Sequence, residues 1–155
     1  MSLPFFDILK FECGNPSGYG FSKTYFSESV KDKVKFVDSE EAALKIRNKG
    51  VLIKVENYPL GLELIRGFEG KESVFLLDLS EIMKSSGGKR ASIIKRMRNF
   101  ARMCIKYKVA FAMASFAENE NEVRSADELL HIGFLIGMNL GEGREALSRI
   151  KEILG

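Results

Sequence analysis

Histidine occurs once in the 155 residues and cysteine twice. A lone His131 cannot supply the clustered imidazoles of a hydrolytic metal centre. Cys13 and Cys104 are too few and too isolated for a disulfide framework or a cysteine zinc site, and both fit free or buried thiols in a reducing compartment. No apolar run approaches the roughly 20 residues that cross a bilayer. The start, Met-Ser-Leu-Pro-Phe-Phe-Asp, lacks the basic, apolar and small-residue regions of a secretory signal. No membrane partner is expected, and the cytoplasm is the expected location. Acidic residues are missing altogether between Lys84 and Lys108.

That last gap coincides with a concentration of positive charge. Lys84, Lys89, Arg90, Lys95, Arg96, Arg98, Arg102, Lys106 and Lys108 all fall inside it. The whole chain has a formal charge of +3, so everything outside these nine residues sums to −6. Ile93, Ile94, Met97, Phe100, Ala101 and Cys104 recur at three and four residues, the spacing of a buried helical stripe. The pattern predicts a long basic helix over 90–107. Lys95, Arg98, Arg102 and Lys106 follow the same spacing on another stripe, about 16 Å long at the helical rise. A helix that needed charge only for solubility would gain from opposite charges at i,i+4, whereas here each such neighbour is like-charged. Neutralisation from outside the chain is implied, and nucleic acid is the commonest polyphosphate partner.

Strands and helices alternate along the rest. Residues 5–11, 34–37, 51–55, 73–79 and 109–114 read as five strands. The nearly continuous apolar run at 73–79 suits a strand covered on both faces. Residues 13–29 read as a long loop, punctuated by Gly, Pro and Ser. Ser39 reads as the N-cap of a helix over 40–48, with Ala43, Leu44 and Ile46 inward. Pro59 reads as the opening of a short helix carrying Leu60, Leu64 and Ile65. Ser80 reads as the cap of a one-turn helix ended by Ser85-Ser86-Gly87-Gly88, and two helices over 126–138 and 143–154 close the chain. The alternation implies a parallel sheet with right-handed crossovers. Five strands fall short of an eight-stranded barrel. The fold expected is α/β, a shortened or incomplete TIM-like (β/α) barrel in one domain over 1–155.

Other residues offer chemistry. The Ser85-Ser86-Gly87-Gly88-Lys89-Arg90 stretch is a helix–helix joint or, through its backbone N–H groups, a phosphate contact. Asp78, Glu56 and Glu12 fall at or past strand ends, where barrel active sites form, but no flanking His or Lys completes a set. Glu118 to Glu122 form an acidic loop. Ser125 and Glu128 have capping-box spacing, which leaves Arg124 free to pair with a carboxylate.

Several segments, in order, resemble protein component 3 of archaeal ribonuclease P, the relative of the thirty-kilodalton eukaryotic subunit. They are Val74 to Met83, Gly87-Gly88-Lys89-Arg90, Cys104 to Val109, Ser115-Phe116-Ala117, Val123 to Asp127 with Leu129, and Ile136-Gly137-Met138. The resemblance covers about residues 50–155. It departs at Phe116, where the family usually has glycine, and at Ala126, where it has proline.

The resemblance implies a barrel related to metal phosphoesterases but without their histidines. It implies a non-catalytic subunit that helps an RNA remove the 5′ leader of precursor tRNA. Ribonuclease P RNA and a small Pop-type subunit would be its partners, with precursor tRNA met indirectly. Magnesium would be held by the RNA, and no cofactor or metal by the protein. Lys89, Arg90, Lys95, Arg98, Arg102 and Lys106 would touch RNA phosphates, and Arg124 with Ser125 would lie at a subunit interface. The competing readings are a stand-alone metal-dependent phosphoesterase using Asp78, and a protein–protein scaffold whose basic face meets an acidic partner.

Overall fold

A computed structural model describes residues 4–155. Among these residues six strands, all paired in parallel, build the centre: β1 (Phe6–Leu9), β2 (Lys23–Phe26), β3 (Val34–Val37), β4 (Leu52–Val55), β5 (Val74–Asp78) and β6 (Phe111–Ala114). β3-β4-β5-β6 form one sheet and β1-β2 a second. A parallel bridge between Leu9 and Ala117 links them, with Phe116 N–H donating to Ile8 O at 2.9 Å and Lys10 N–H to Ala117 O at 2.8 Å. No ladder joins β2 to β3 among the described residues, so the curled sheet is an incomplete α/β barrel with a seam between those strands. The sequence pattern predicts this class but one strand fewer. β2 lies in the stretch read as loop: its four residues sit between a Gly-rich turn and Ser27, too short a run to show a period.

Alternation along each strand sorts the core into two layers. Phe6, Ile8, Val34, Leu52, Val74, Leu76, Ala112 and Ala114 meet inside the barrel. Ile53, Val55, Phe75, Leu77 and Met113 point outward beneath the helices. Those helices are α1 (Glu40–Lys45), α2 (Leu62–Gly67), α3 (Ser80–Met83), α4 (Gly87–Lys106), α5 (Ala126–Leu135), α6 (Leu140–Ser148) and α7 (Ile150–Leu154). α7 closes the floor: Ile150 is buried in the inner layer with Ile153 and Leu154 against it. Ser148 Oγ donates to Pro4 O, and the Arg149 guanidinium donates to Phe111 O.

Capping side chains at the N-cap position account for three of the seven α-helix starts among the described residues. Ser39 Oγ accepts from Ala42 N–H at 3.1 Å, the expected cap of α1. Pro59 and Leu60 stand outside α2, and Leu60 is exposed, so that helix starts later than the proline suggests. Ser80 is not a cap but the first residue of α3; its N–H and Oγ–H both donate to Asp78 Oδ1, so the aspartate does the capping. Ser125 and Glu128 form the predicted capping box on α5, and Asn139 with Glu142 repeats it on α6. Replacing Ser125 with Ala should cost about 1 kcal/mol of stability. Urea unfolding measures it, and a loss below a few tenths would leave the box without energetic weight.

α4 begins at Gly87, three residues before the predicted start. It buries Ile93, Met97, Phe100, Ala101 and Cys104, as its spacing predicts. Phe100 meets Phe75 edge-on with centroids 5.0 Å apart and Tyr58 at 5.7 Å. A ring buried this fully contributes about 1.5–3 kcal/mol, which makes α4 a fixed part of the core. Both cysteines are free thiols. Burial pushes the Cys104 thiol up to about 12, so it stays protonated and inert.

Candidate nucleic-acid interface

Because α4 docks through one stripe, its opposite face is set toward solvent. Lys95, Arg102 and Lys106 are exposed there, and Lys89 and Arg90 are exposed at the helix start. Arg98 is half-buried, and its guanidinium donates to Leu135 O at 2.7 Å, at the end of α5 where carbonyls lack helical partners. Its stem lies over Gly137, whose φ of +87° suits glycine; a Cβ there would come within 3.2 Å of Arg98 Cγ. Arg90 Nε donates to Ile82 O, and Arg96 donates to Asn57 Oδ1 and Ser92 Oγ. These arginines are steadied by neutral acceptors and keep their charge uncompensated.

Among the described residues, none of Lys89, Arg90, Lys95, Arg96, Arg98, Arg102, Lys106 and Lys108 has a carboxylate oxygen within 4.0 Å. Lys84 is the exception within the basic block. Its Nζ lies 2.7 Å from Glu118 Oε1 and 3.6 Å from Glu122 Oε1. Hydrogen bonding to Glu118 holds Lys84 above the ordinary lysine range, and Lys84 holds Glu118 below the carboxylate range. Lys10 reaches the same Glu118 oxygen at 3.5 Å. At the start of α4 no side chain caps the helix, so its first N–H groups and Lys89 share one edge.

The barrel mouth lies beside that edge. Asp7, on β1, is fully buried and absent from the sequence-based candidates. Its Oδ1 accepts from Ile8 N–H at 2.9 Å and Ser115 N–H at 2.7 Å, while Oδ2 accepts from Ser115 Oγ at 2.5 Å. Desolvation raises its pKa from 3.8 to about 7, against the opposing pull of those donors. An acidic residue inside an otherwise apolar strand was the available signal. Asp78 closes β5, raised chiefly by burial while Ser80 pulls the other way. Lys54 Nζ meets Glu81 Oε1 at 2.9 Å; Tyr58 OH donates to the same oxygen at 3.0 Å and accepts from Asp78 N–H. Glu12 and Glu56 are exposed. No group of three His, Cys, Asp or Glu that could hold a metal ion occurs among the described residues.

Arg124 Nε lies 3.9 Å from Glu128 Oε2, a loose surface pair, while Ser125 is engaged in its capping box. Phe116 has φ +49°, the left-handed region that glycine occupies without strain. Its ring is buried in the inner layer and meets Phe36 edge-on at 5.7 Å. The chain departs from the resembled pattern at this residue, and the backbone keeps the geometry a glycine would take. His131 is exposed, its Nδ1 2.7 Å from Asp127 O, in a helical surface position.

No protein-family model and no curated protein matches the chain. Among solved structures it is similar to a chain in a cryo-EM structure of archaeal ribonuclease P with mature tRNA, with a TM-score of 0.62 and 14% identity. The match covers 96% of this chain and 79% of that one. At that identity the likeness is one of fold. It gives the incomplete α/β barrel a structural relative.

Proposed function

We propose that this chain is an RNA-binding protein subunit of a ribonuclease P, supporting RNA-catalysed removal of the 5′ leader from precursor tRNA. The observation that carries this reading is the uncompensated cationic face of α4, fixed to the core by its apolar stripe. The fold shared with a chain of the archaeal ribonuclease P structure supports it, as do the motif segments over residues 50–155. Lys89, Arg90, Lys95, Arg98, Arg102 and Lys106 contact phosphates, giving affinity and position rather than base readout. Within the family the component 3 role fits best. A Pop-type subunit meets the chain near Arg124 and Ser125, and magnesium is held by the RNA.

Reconstitution tests this reading. The chain is added, with and without a Pop-type subunit, to an archaeal catalytic RNA at low magnesium. Cleavage of precursor tRNA should rise when both proteins are present, while the chain alone should turn over nothing. Phosphoester hydrolysis by the purified chain with a divalent metal would favour the phosphoesterase reading instead. Failure to bind the RNA, with a pull-down partner that survives nuclease treatment, would favour the scaffold reading.

A further inference from the structure

The barrel mouth holds a second group of cations, which meets the exposed face of α4 at Lys89. Lys84 lines two adjoining cavities there. One, of about 70 Å³, is walled by Ser80, Ser115, Glu122 and Arg124 among others; the neighbouring one, of about 310 Å³, by Lys10, Ser85 and Lys89. Lys10, Lys84 and Lys89 surround this opening, with Arg124 beside Glu128 at its rim, and cations of this kind bind a phosphate. The nearby serine hydroxyls are already given to Asp78, Asp7 and Ile82 O, so the cations alone are left for a ligand. What fills the position between Lys10 and Lys84 is an anion from the protein itself. The Glu118 carboxylate bridges the two ammonium groups, and Glu122 approaches Lys84 from the same loop. Glu81 faces the opening too but is engaged by Lys54 and Tyr58.

We infer that the opening around Lys10, Lys84 and Lys89 is a phosphate site for the RNA backbone, with Glu118 acting as an internal stand-in for the phosphate. This rests on the RNA-binding reading and extends its footprint beyond α4. Both Lys84 and Glu118 are about half exposed, so their pair is weak enough for a polyanion to compete with. The block of nine basic residues is then divided: eight cations stand ready, and Lys84 is withheld by the acidic loop. The loop tunes affinity downward and disfavours short or weakly charged anions.

The test uses the full chain and the archaeal catalytic RNA, with affinity measured across a salt series. Glu118→Gln with Glu122→Gln keeps an acceptor for Lys84 but removes the charge. This double variant should bind about threefold to tenfold tighter at low salt, and its log–log salt slope should steepen by about one. Glu41→Gln with Glu63→Gln, which changes net charge equally on α1 and α2, should give a much smaller gain. Lys84→Ala should cancel the gain, costing more in the double-variant background than in the wild type. A gain equal to the remote control, or one that survives Lys84→Ala, would overturn the site. Wild-type binding with no gain would overturn this inference alone. Absence of wild-type binding would overturn the RNA-binding reading and this site with it.

Discussion

Asp7→Ala should destabilise the protein by about 3–5 kcal/mol, a large share of the roughly 5–15 kcal/mol available to a domain of ordinary stability. The side chain is the shared acceptor for Ile8 N–H, Ser115 N–H and Ser115 Oγ–H. Truncation strands all three donors in a buried site. Asn in the same place keeps Oδ1 for the two N–H groups and offers its amide N–H to Ser115 Oγ, so Asp7→Asn should lose much less. Urea unfolding of the two variants decides between a structural bracket and a tolerated oddity. Equal losses would sink the hydrogen-bond account.

The same residue sets a pH dependence. Its folded pKa of about 7 lies above the ordinary 3.8, so the folded state binds the proton more tightly than the unfolded chain. The associated stability is complete below about pH 4, declines as pH rises toward 7 and is gone above it. Asp78 is raised as well and adds a contribution of the same sign. Wild type should unfold at lower urea at pH 8 than at pH 5, and Asp7→Asn should flatten that difference. The loss from Asp7→Ala should accordingly be larger at pH 5. A profile that rises with pH and is unchanged in Asp7→Asn would contradict the burial argument.

The largest functional effect should come from Lys95→Ala, Arg102→Ala and Lys106→Ala combined. These side chains are exposed and touch no carboxylate, so their loss should leave folding nearly intact. Affinity for the catalytic RNA should fall by about a hundredfold at low salt, and the salt slope should flatten by two to three units, near 0.9 for each duplex phosphate lost. Arg98→Ala is the informative contrast. Its guanidinium is spent partly on Leu135 O, so stability should drop while the slope moves by less than one unit. An unchanged slope in the triple variant would remove the α4 face as the contact surface.

What could be read from residue order was whatever repeats within a few positions. The inward stripe of α4, the apolar strands at 52–55 and 74–78 and the Ser125–Glu128 box are all local patterns, and each is present in the structure. Contacts between distant segments were out of reach. The tie from Arg98 to Leu135 depends on where α5 ends, and the pairing of Lys84 with Glu118 on how a loop folds back over the barrel mouth. Ser80 looks like a helix cap by type and position, but Asp78 two residues earlier is the stronger acceptor and takes that role. Thr24, Tyr25 and Phe26 favour a strand, but four residues inside a Gly- and Ser-rich stretch are too few to stand out, and pairing with β1 makes them a strand.

The link between β1 and the residues after β6 bears on how the chain is made. Asp7 and Ser115 are separated by 108 positions, yet they interlock in the native molecule. During synthesis β1 can pair with β2 early, but its other edge leaves the ribosome long before Ser115 exists and stays open while the β3–β6 sheet assembles from neighbours close in sequence. An apolar strand with one edge left open is an invitation to wrong pairing. Its ionised carboxylate, costly once enclosed, keeps that segment hydrated in the interval.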